Sequence, residues 1–114
     1  MAKDEVRAIG LWQQACTGGV ASACTSLGIH FNLGWGVAKD QVRAASLYQQ
    51  ACTGGHALGC ADLGDLYRDG QGVTKDTARA LQLYRQALTL KLLPSHAQRI
   101  QTKINDLTAA LGQQ

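Results

Sequence analysis

The chain repeats itself. Residues 6–41 align with residues 42–77 at an offset of 36, and 20 of the 36 aligned pairs are identical. Leu-Trp-Gln-Gln-Ala-Cys-Thr-Gly-Gly from Leu11 returns as Leu-Tyr-Gln-Gln-Ala-Cys-Thr-Gly-Gly from Leu47, and its first part returns again as Leu-Tyr-Arg-Gln-Ala-Leu from Leu83. Lys-Asp pairs at 3–4, 39–40 and 75–76 mark the same point three times. Self-similarity at a period of about 20–50 residues belongs to stacked arrays, in which each unit buries its apolar face only against its neighbours. Ten of the 13 glycines fall on five repeat positions, so they act as backbone punctuation.

Each unit reads as two helices, called here helix A and helix B. Ala44, Leu47, Tyr48 and Ala51 form an i, i+3, i+4, i+7 stripe, the mark of an amphipathic helix. Ala8, Leu11, Trp12, Ala15 and Ala80, Leu83, Tyr84, Ala87 repeat it. Asp4, Asp40 and Asp76 stand just ahead of these runs, where a side-chain oxygen can cap a helix N-terminus. Gly18-Gly19 and Gly54-Gly55 follow them, and glycine tolerates the left-handed backbone of a helix stop. Helix B then carries Ala57, Cys60, Leu63, Gly64 and Tyr67, matched by Ala21, Cys24, Leu27, Gly28 and Phe31. A glycine inside a helix costs about 1 kcal/mol relative to alanine. Gly28 and Gly64 are therefore expected to permit a close helix–helix approach.

The last unit differs. Its helix A is expected to run to about Lys91 before Pro94 stops it, with Ser95 capping a final helix that carries Ala97, Ile100, Ile104, Leu107 and Leu111. That helix is a third helix B without cysteine, with the polar outer face that a terminal solenoid unit needs. The expected architecture is all-α: one α/α superhelical solenoid domain over residues 1–114, built on a 36-residue period. Repeat 1 spans 4–39, repeat 2 spans 40–75, helix A of repeat 3 spans 76–93, and a capping helix spans 94–114. Two readings fit its N-terminal start at a repeat junction: the C-terminal end of a longer array, or a mature piece whose export signal was removed. No apolar stretch is long enough to span a membrane. A net charge of +3 with 17% charged residues falls short of a nucleic-acid-binding surface.

These motifs together resemble the Sel-one-like repeats, a tetratricopeptide-like family. The residues that carry the resemblance are Ala-x-x-Leu-Tyr-x-x-Ala with Gly-Gly in helix A, Leu-Gly-x-x-Tyr in helix B, and Gly-x-Gly-Val-x-Lys-Asp between units. It covers roughly residues 3–91. The added Cys-x7-Cys is similar to the cysteine-rich branch of exported bacterial proteins. The resemblance implies a right-handed superhelix with protein-binding surfaces. It also brings a β-lactamase or penicillin-binding label attached to some cysteine-rich members, and a link to haem for a mitochondrial relative.

Four cysteines allow three pairings. The repeat selects Cys16 with Cys24 and Cys52 with Cys60. Eight residues of unbroken helix span about 12 Å, whereas a disulfide needs Cα atoms within about 7 Å. Each pair can close only if the helix breaks between its members, and Gly-Gly is placed to break it. The alternatives are reduced core thiols and a metal set of Cys52, His56 and Cys60, against which Val20 replaces His56 in the first repeat. Disulfides imply an oxidising compartment, periplasmic or extracellular. His30 and His96 are isolated, and neither a metal nor a cofactor is expected.

A serine β-lactamase needs a serine with a lysine three residues on. Ser22, Ser26, Ser46 and Ser95 are followed at that distance by Thr25, Ile29, Gln49 and Gln98. The expected role is a non-enzymatic scaffold for a protein or peptide partner, with weak β-lactam or peptidoglycan-related activity as the alternative. Two binding surfaces are candidates. Arg7, Gln14, Arg43, Ser46, Gln50, Arg79, Gln82 and Gln86 share a helix-A face and would form a polar ladder on the concave side, or else merely solvate that helix. Ile29, Leu33 and Trp35 stand where the second repeat has Asp65, Asp69 and Gln71. They would form an exposed apolar patch for a partner or for self-association, or else pack against an upstream repeat or the next helix A, while Asp62, Asp65 and Asp69 would lie on a solvated face.

Overall fold

Six α-helices follow one another in the structure, a computed structural model that describes residues 3–112. They are α1 (Lys3–Thr17), α2 (Ala21–Leu33), α3 (Gln41–Thr53), α4 (Ala57–Asp69), α5 (Thr77–Leu88) and α6 (Pro94–Gly112), with no strand among the described residues. Odd-numbered helices are of type A and even-numbered ones of type B. Neighbours in sequence pack side by side, and α2 also touches α4. The result is an elongated body of 48 × 26 × 21 Å.

Asp40 and Asp76 cap α3 and α5: each accepts a 3.0 Å hydrogen bond from the backbone N–H three residues on, Arg43 and Arg79. Asp4 does not do the same. The helix already runs from Lys3, which places Asp4 inside its first turn, where a negative charge still favours the helix dipole. At the other end of helix A the Gly-Gly pairs break the chain as expected, with φ of 96° at Gly19 and 91° at Gly55.

The two glycines inside helix B have the reason anticipated for them. A Cβ on Gly28 would lie 2.7 Å from Cε1 of Tyr48, and one on Gly64 would lie 2.8 Å from Cε1 of Tyr84. The tyrosine ring of each following helix A therefore rests on bare helix-B backbone. Tyr48 and Tyr84 are almost wholly buried, as are Leu47 and Leu83 beside them. The core is one band that changes partners at α3. Leu47 and Ala51 join Cys16, Cys24 and Leu27 on the N-terminal side, while Tyr48, Ala44 and Cys52 join the apolar faces of α4, α5 and α6.

Both disulfides form within repeats, Cys16–Cys24 and Cys52–Cys60, with Cα atoms 4.7 and 4.5 Å apart. Each ties a helix A to its own helix B across the Gly-Gly break. Because the two sulfurs are bonded to each other, Cys52 and Cys60 cannot serve with His56 as metal ligands.

The third unit departs from expectation in three ways. Helix α5 is 12 residues long, one shorter than α3, and stops at Leu88 rather than near Lys91. Thr89 ends it: its hydroxyl donates to the Gln86 carbonyl at 2.6 Å, and the chain then turns Leu88, Leu90 and Leu92 onto the core. Ser95 is not a cap. Pro94 is the first residue of α6, a position where its missing N–H costs nothing, and the Leu93 carbonyl accepts from Ala97 N–H. Within α6, Ile100 and Ile104 are buried, but Leu111 at the end of the stripe is exposed.

The Tyr–Gly contact gives a sharp test. Gly64→Ala gains helix propensity but drives a methyl into a buried ring, so urea unfolding should show a net loss of about 1–3 kcal/mol. Gly10, also inside a helix, has nothing within 4 Å of its would-be Cβ. Gly10→Ala should therefore gain about 0.5–1 kcal/mol; equal effects at the two sites would refute the seat. Removing the second staple with Cys52→Ser and Cys60→Ser should cost about 2.5 kcal/mol, the chain-entropy value for a nine-residue loop, measured under the same conditions.

Candidate functional site

Three recesses open on the face made by the B helices, and they share walls. The first, about 250 Å³, lies between α2, α4 and α6. Ile29, Leu58, Ala61 and Ile100 form its apolar part, and Asp62, His96, Arg99 and Lys103 its charged part. A second, about 320 Å³, runs between α2 and α4 past Asn32, Leu33, Asp65 and Asp69, and shares Ile29 and Asp62 with the first. The third, about 210 Å³, lies beside the α5–α6 connection and shares Leu58 and His96 with the first. Together they make a groove along the helix-B face. Its lining repeats because equivalent positions of successive B helices lie side by side. Ile29 and Asp65 are one repeat apart, as are Leu33 and Asp69.

Charge in the groove centres on two aspartates. Asp65 holds the C-terminal helix in place: Lys103 Nζ donates to its two oxygens at 2.9 and 3.0 Å, and the Tyr84 hydroxyl donates to it at 2.5 Å. Arg68 adds an ion pair at 3.4 Å and donates twice to Asp69 at 3.0 Å. That bond holds the Asp69 carboxyl below its ordinary pKa. Asp62 is different. Burial, with Asp65 nearby, pushes its pKa up to about 7 against the pull of Lys103 and Arg99. The same desolvation, with the field of Asp62 and Asp65, raises the Tyr48 hydroxyl well above its ordinary value. The aspartates expected on a solvated face are thus divided. Asp69 is exposed, while Asp62 and Asp65 are half-buried in the groove wall because α6 folds back beside them.

The polar ladder lies elsewhere. Arg7, Gln14, Arg43, Ser46, Gln50, Gln82 and Gln86 are exposed and Arg79 is half-buried, and none of them lines a recess. Several are occupied by packing between repeats. The Arg43 guanidinium sits 5.6 Å over the Phe31 ring and that of Arg79 5.9 Å over Tyr67. Gln50 reaches the Cys16 carbonyl at 3.5 Å, and Arg79 donates to Gln49 of the preceding repeat at 3.5 Å and, within its own helix, to Gln82 at 2.8 Å. The recesses lie along α2, α4 and α6, so the helix-A ladder and the groove are separate surfaces.

The three apolar patch residues separate. Ile29 and Leu33 line the groove, Leu33 still exposed. Trp35 turns its ring edge-on to His30 at 5.9 Å, and His30 in turn meets Trp12 at 4.7 Å. His56, which precedes α4, places Nδ1 2.7 Å from the buried hydroxyl of Thr25, and burial lowers its pKa. Leu58, Asp62, Arg99, Ile100 and Lys103 are the groove residues that were not singled out as binding residues. A shared 36-residue register on helix B, with a basic capping helix beside it, was the available signal.

The model of the Sel1 repeat family matches residues 1–20, 21–56 and 57–91. This chain belongs to the Sel1 repeat family. The second and third Sel1 matches each begin on a B helix and end after the following A helix, so they join the two helices that meet at a Tyr–Gly contact. Solved Sel1-type structures agree in fold. A Sel1 repeat protein from Oxalobacter formigenes is 32% identical, with a TM-score of 0.68 over 71% of this chain and 33% of its own. A protective antigen of uropathogenic Escherichia coli with an SLR fold is 30% identical, with a TM-score of 0.72 over 76% of this chain and 19% of its own. Cysteine rich protein B of Helicobacter pylori is 30% identical, with a TM-score of 0.71 over 74% of this chain and 63% of its own. In each case the chain spans less than two thirds of the other's length. No curated protein sequence matches it. Sel1 repeats typically serve as protein-interaction scaffolds.

The raised pKa of Asp62 has a signed consequence. Its folded-state value of about 7 lies above the ordinary 3.8, so the folded protein holds this proton more tightly than the unfolded chain. That contribution is fully present below about pH 4 and is lost as the pH rises to about 7. His56, shifted the other way, works against it near pH 6.5, so the informative quantity is the difference between Asp62→Asn and the parent. The variant should gain stability relative to the parent from pH 4 to 7 in urea titrations, and a flat difference would remove Asp62 from the buried wall.

Proposed function

We propose that this chain is a non-enzymatic scaffold, working in an oxidising compartment, that holds an extended segment of a protein partner along the helix-B groove. The observation that carries this reading is the sharing of walls. Three recesses linked through Ile29, Asp62, Leu58 and His96 offer successive sites to a chain laid along them. Their composition suits a peptide: apolar surface for side chains, with carboxylates and cations for its polar groups. The Sel1 fold and the two disulfides support the scaffold role and an extracytoplasmic setting. The polar ladder remains the alternative docking face, and its members are largely accessible.

Peptides selected against the oxidised protein from a random display library would distinguish the two faces. Ile29→Asp and Leu58→Asp should each weaken the selected peptides about tenfold or more, a loss near 1.4 kcal/mol. Arg43→Ala with Gln50→Ala should stay within about twofold. The reverse pattern would move the site to the ladder, and turnover of a chromogenic β-lactam by the purified protein would overturn the non-enzymatic reading.

A further inference from the structure

The three recesses differ in charge, and the difference is ordered along α4. The second recess, beside the C-terminal ends of α2 and α4, is lined by Asp62, Asp65 and Asp69 against the single cation Arg68. The first is lined by Asp62 against Arg99 and Lys103. The third, beside the N-terminal ends of α4 and α6, is lined by Lys91 and no carboxylate. Helix dipoles carry the same signs, negative at C-terminal ends and positive at N-terminal ones. Part of this charge is matched within the protein. Asp65 is met by Lys103 and Arg68, and Asp69 by Arg68. Asp62, Arg99 and Lys91 form no ion pair among the described residues. One unmatched carboxylate therefore stands in the wall shared by the second and first recesses, and unmatched cations stand toward the third. The first recess, which shares walls with both others, supplies the apolar surface of Ile29, Leu58, Ala61 and Ile100.

We propose that the partner segment is dipolar: a basic side chain in the second recess against Asp62, an apolar side chain in the first, and an acidic side chain toward the third against Arg99 and Lys91. This rests on the groove reading above and adds the chemistry of what the groove accepts. The spacing follows from the helix that carries the groove. Asp65 and Ala57, which line the second and third recesses, are eight residues apart on α4, or about 12 Å. An extended chain covers that distance in about four residues. Its side chains i, i+2 and i+4 share one face, so a basic-x-apolar-x-acidic segment addresses all three recesses from one side. A cation beside Asp62 also offsets the desolvation that holds its pKa up to about 7. A segment with like charges at both ends meets one end of the groove with the wrong sign.

Three heptapeptides with blocked termini test the order of charges: Ser-Lys-Ser-Leu-Ser-Glu-Ser, and its counterparts with Lys or with Glu at both charged positions. Each is titrated into the oxidised protein and followed by backbone amide NMR shifts. The mixed-charge peptide should give saturable shifts at Ile29, Leu58 and Asp62. It should bind about fivefold or more tighter than either like-charge peptide, the scale of partly exposed ion pairs. Arg99 is exposed and forms no ion pair among the described residues, so Arg99→Glu should leave helical content unchanged. It should weaken the mixed-charge peptide about fivefold and tighten the doubly Lys peptide by about the same factor. Absence of groove shifts from the mixed-charge peptide at millimolar concentration, equal affinities for the three peptides, or an order of affinities that Arg99→Glu leaves unchanged would each overturn the inference. Equal affinities with shifts still at Ile29 and Leu58 would leave the scaffold reading standing. That reading falls separately, when display-selected peptides are indifferent to Ile29→Asp and Leu58→Asp. Self-association of the peptide-free protein that Arg99→Glu abolishes would also overturn the inference, because a second copy would then fill the groove.

Discussion

A tyrosine ring lying on a bare stretch of helix backbone sets the geometry of this molecule. Without a Cβ at Gly28 and Gly64, helices B and A approach until Tyr48 and Tyr84 are buried to within a few per cent of complete enclosure. That approach fixes how far each unit is displaced from the last, and so brings equivalent faces of α2, α4 and α6 side by side. The groove is a by-product of this spacing. Its second layer of order comes from Tyr84, whose hydroxyl donates to Asp65 and so orients the carboxylate that receives Lys103 from the last helix.

Much of the fold was legible because the repeat shows each signal more than once. Helix faces, the Gly-Gly breaks, the pairing of the cysteines and the purpose of the two helix glycines all follow from residues that recur in register. The misreadings fall where the register lapses. Asp4 lies within the first turn of α1 instead of ahead of it. The third unit lacks Gly-Gly, so no repeat signal marks where its helix A stops. Instead Thr89 and the leucines that follow turn the chain inward.

The site was less legible than the fold. A helical wheel drawn on α4 alone turns Asp62 and Asp65 toward solvent, and only a distant element changes that. Lys103 lies 38 residues from Asp65 in sequence, and no local pattern announces that α6 returns to this side. The ladder's arginines have a packing role of their own: Arg43 and Arg79 each lie over an aromatic residue in the last turn of the preceding helix B. Periodicity marks whatever happens once per repeat, and assembly happens once per repeat more reliably than recognition.

The two disulfides join helix A to helix B inside a unit, whereas the tyrosine contacts join helix B to the next helix A. Covalent and non-covalent seams therefore alternate from α1 to α5. A load drawn along the long axis meets non-covalent seams at the two tyrosine contacts and at α5–α6, which no disulfide spans. The stack would part there in sections, and its first two sections would separate as closed hairpins rather than as loose chain. Each closed hairpin keeps its two helices in register, so a parted seam can be restored by docking preformed surfaces instead of by folding anew. Such a molecule yields in steps and recovers in steps.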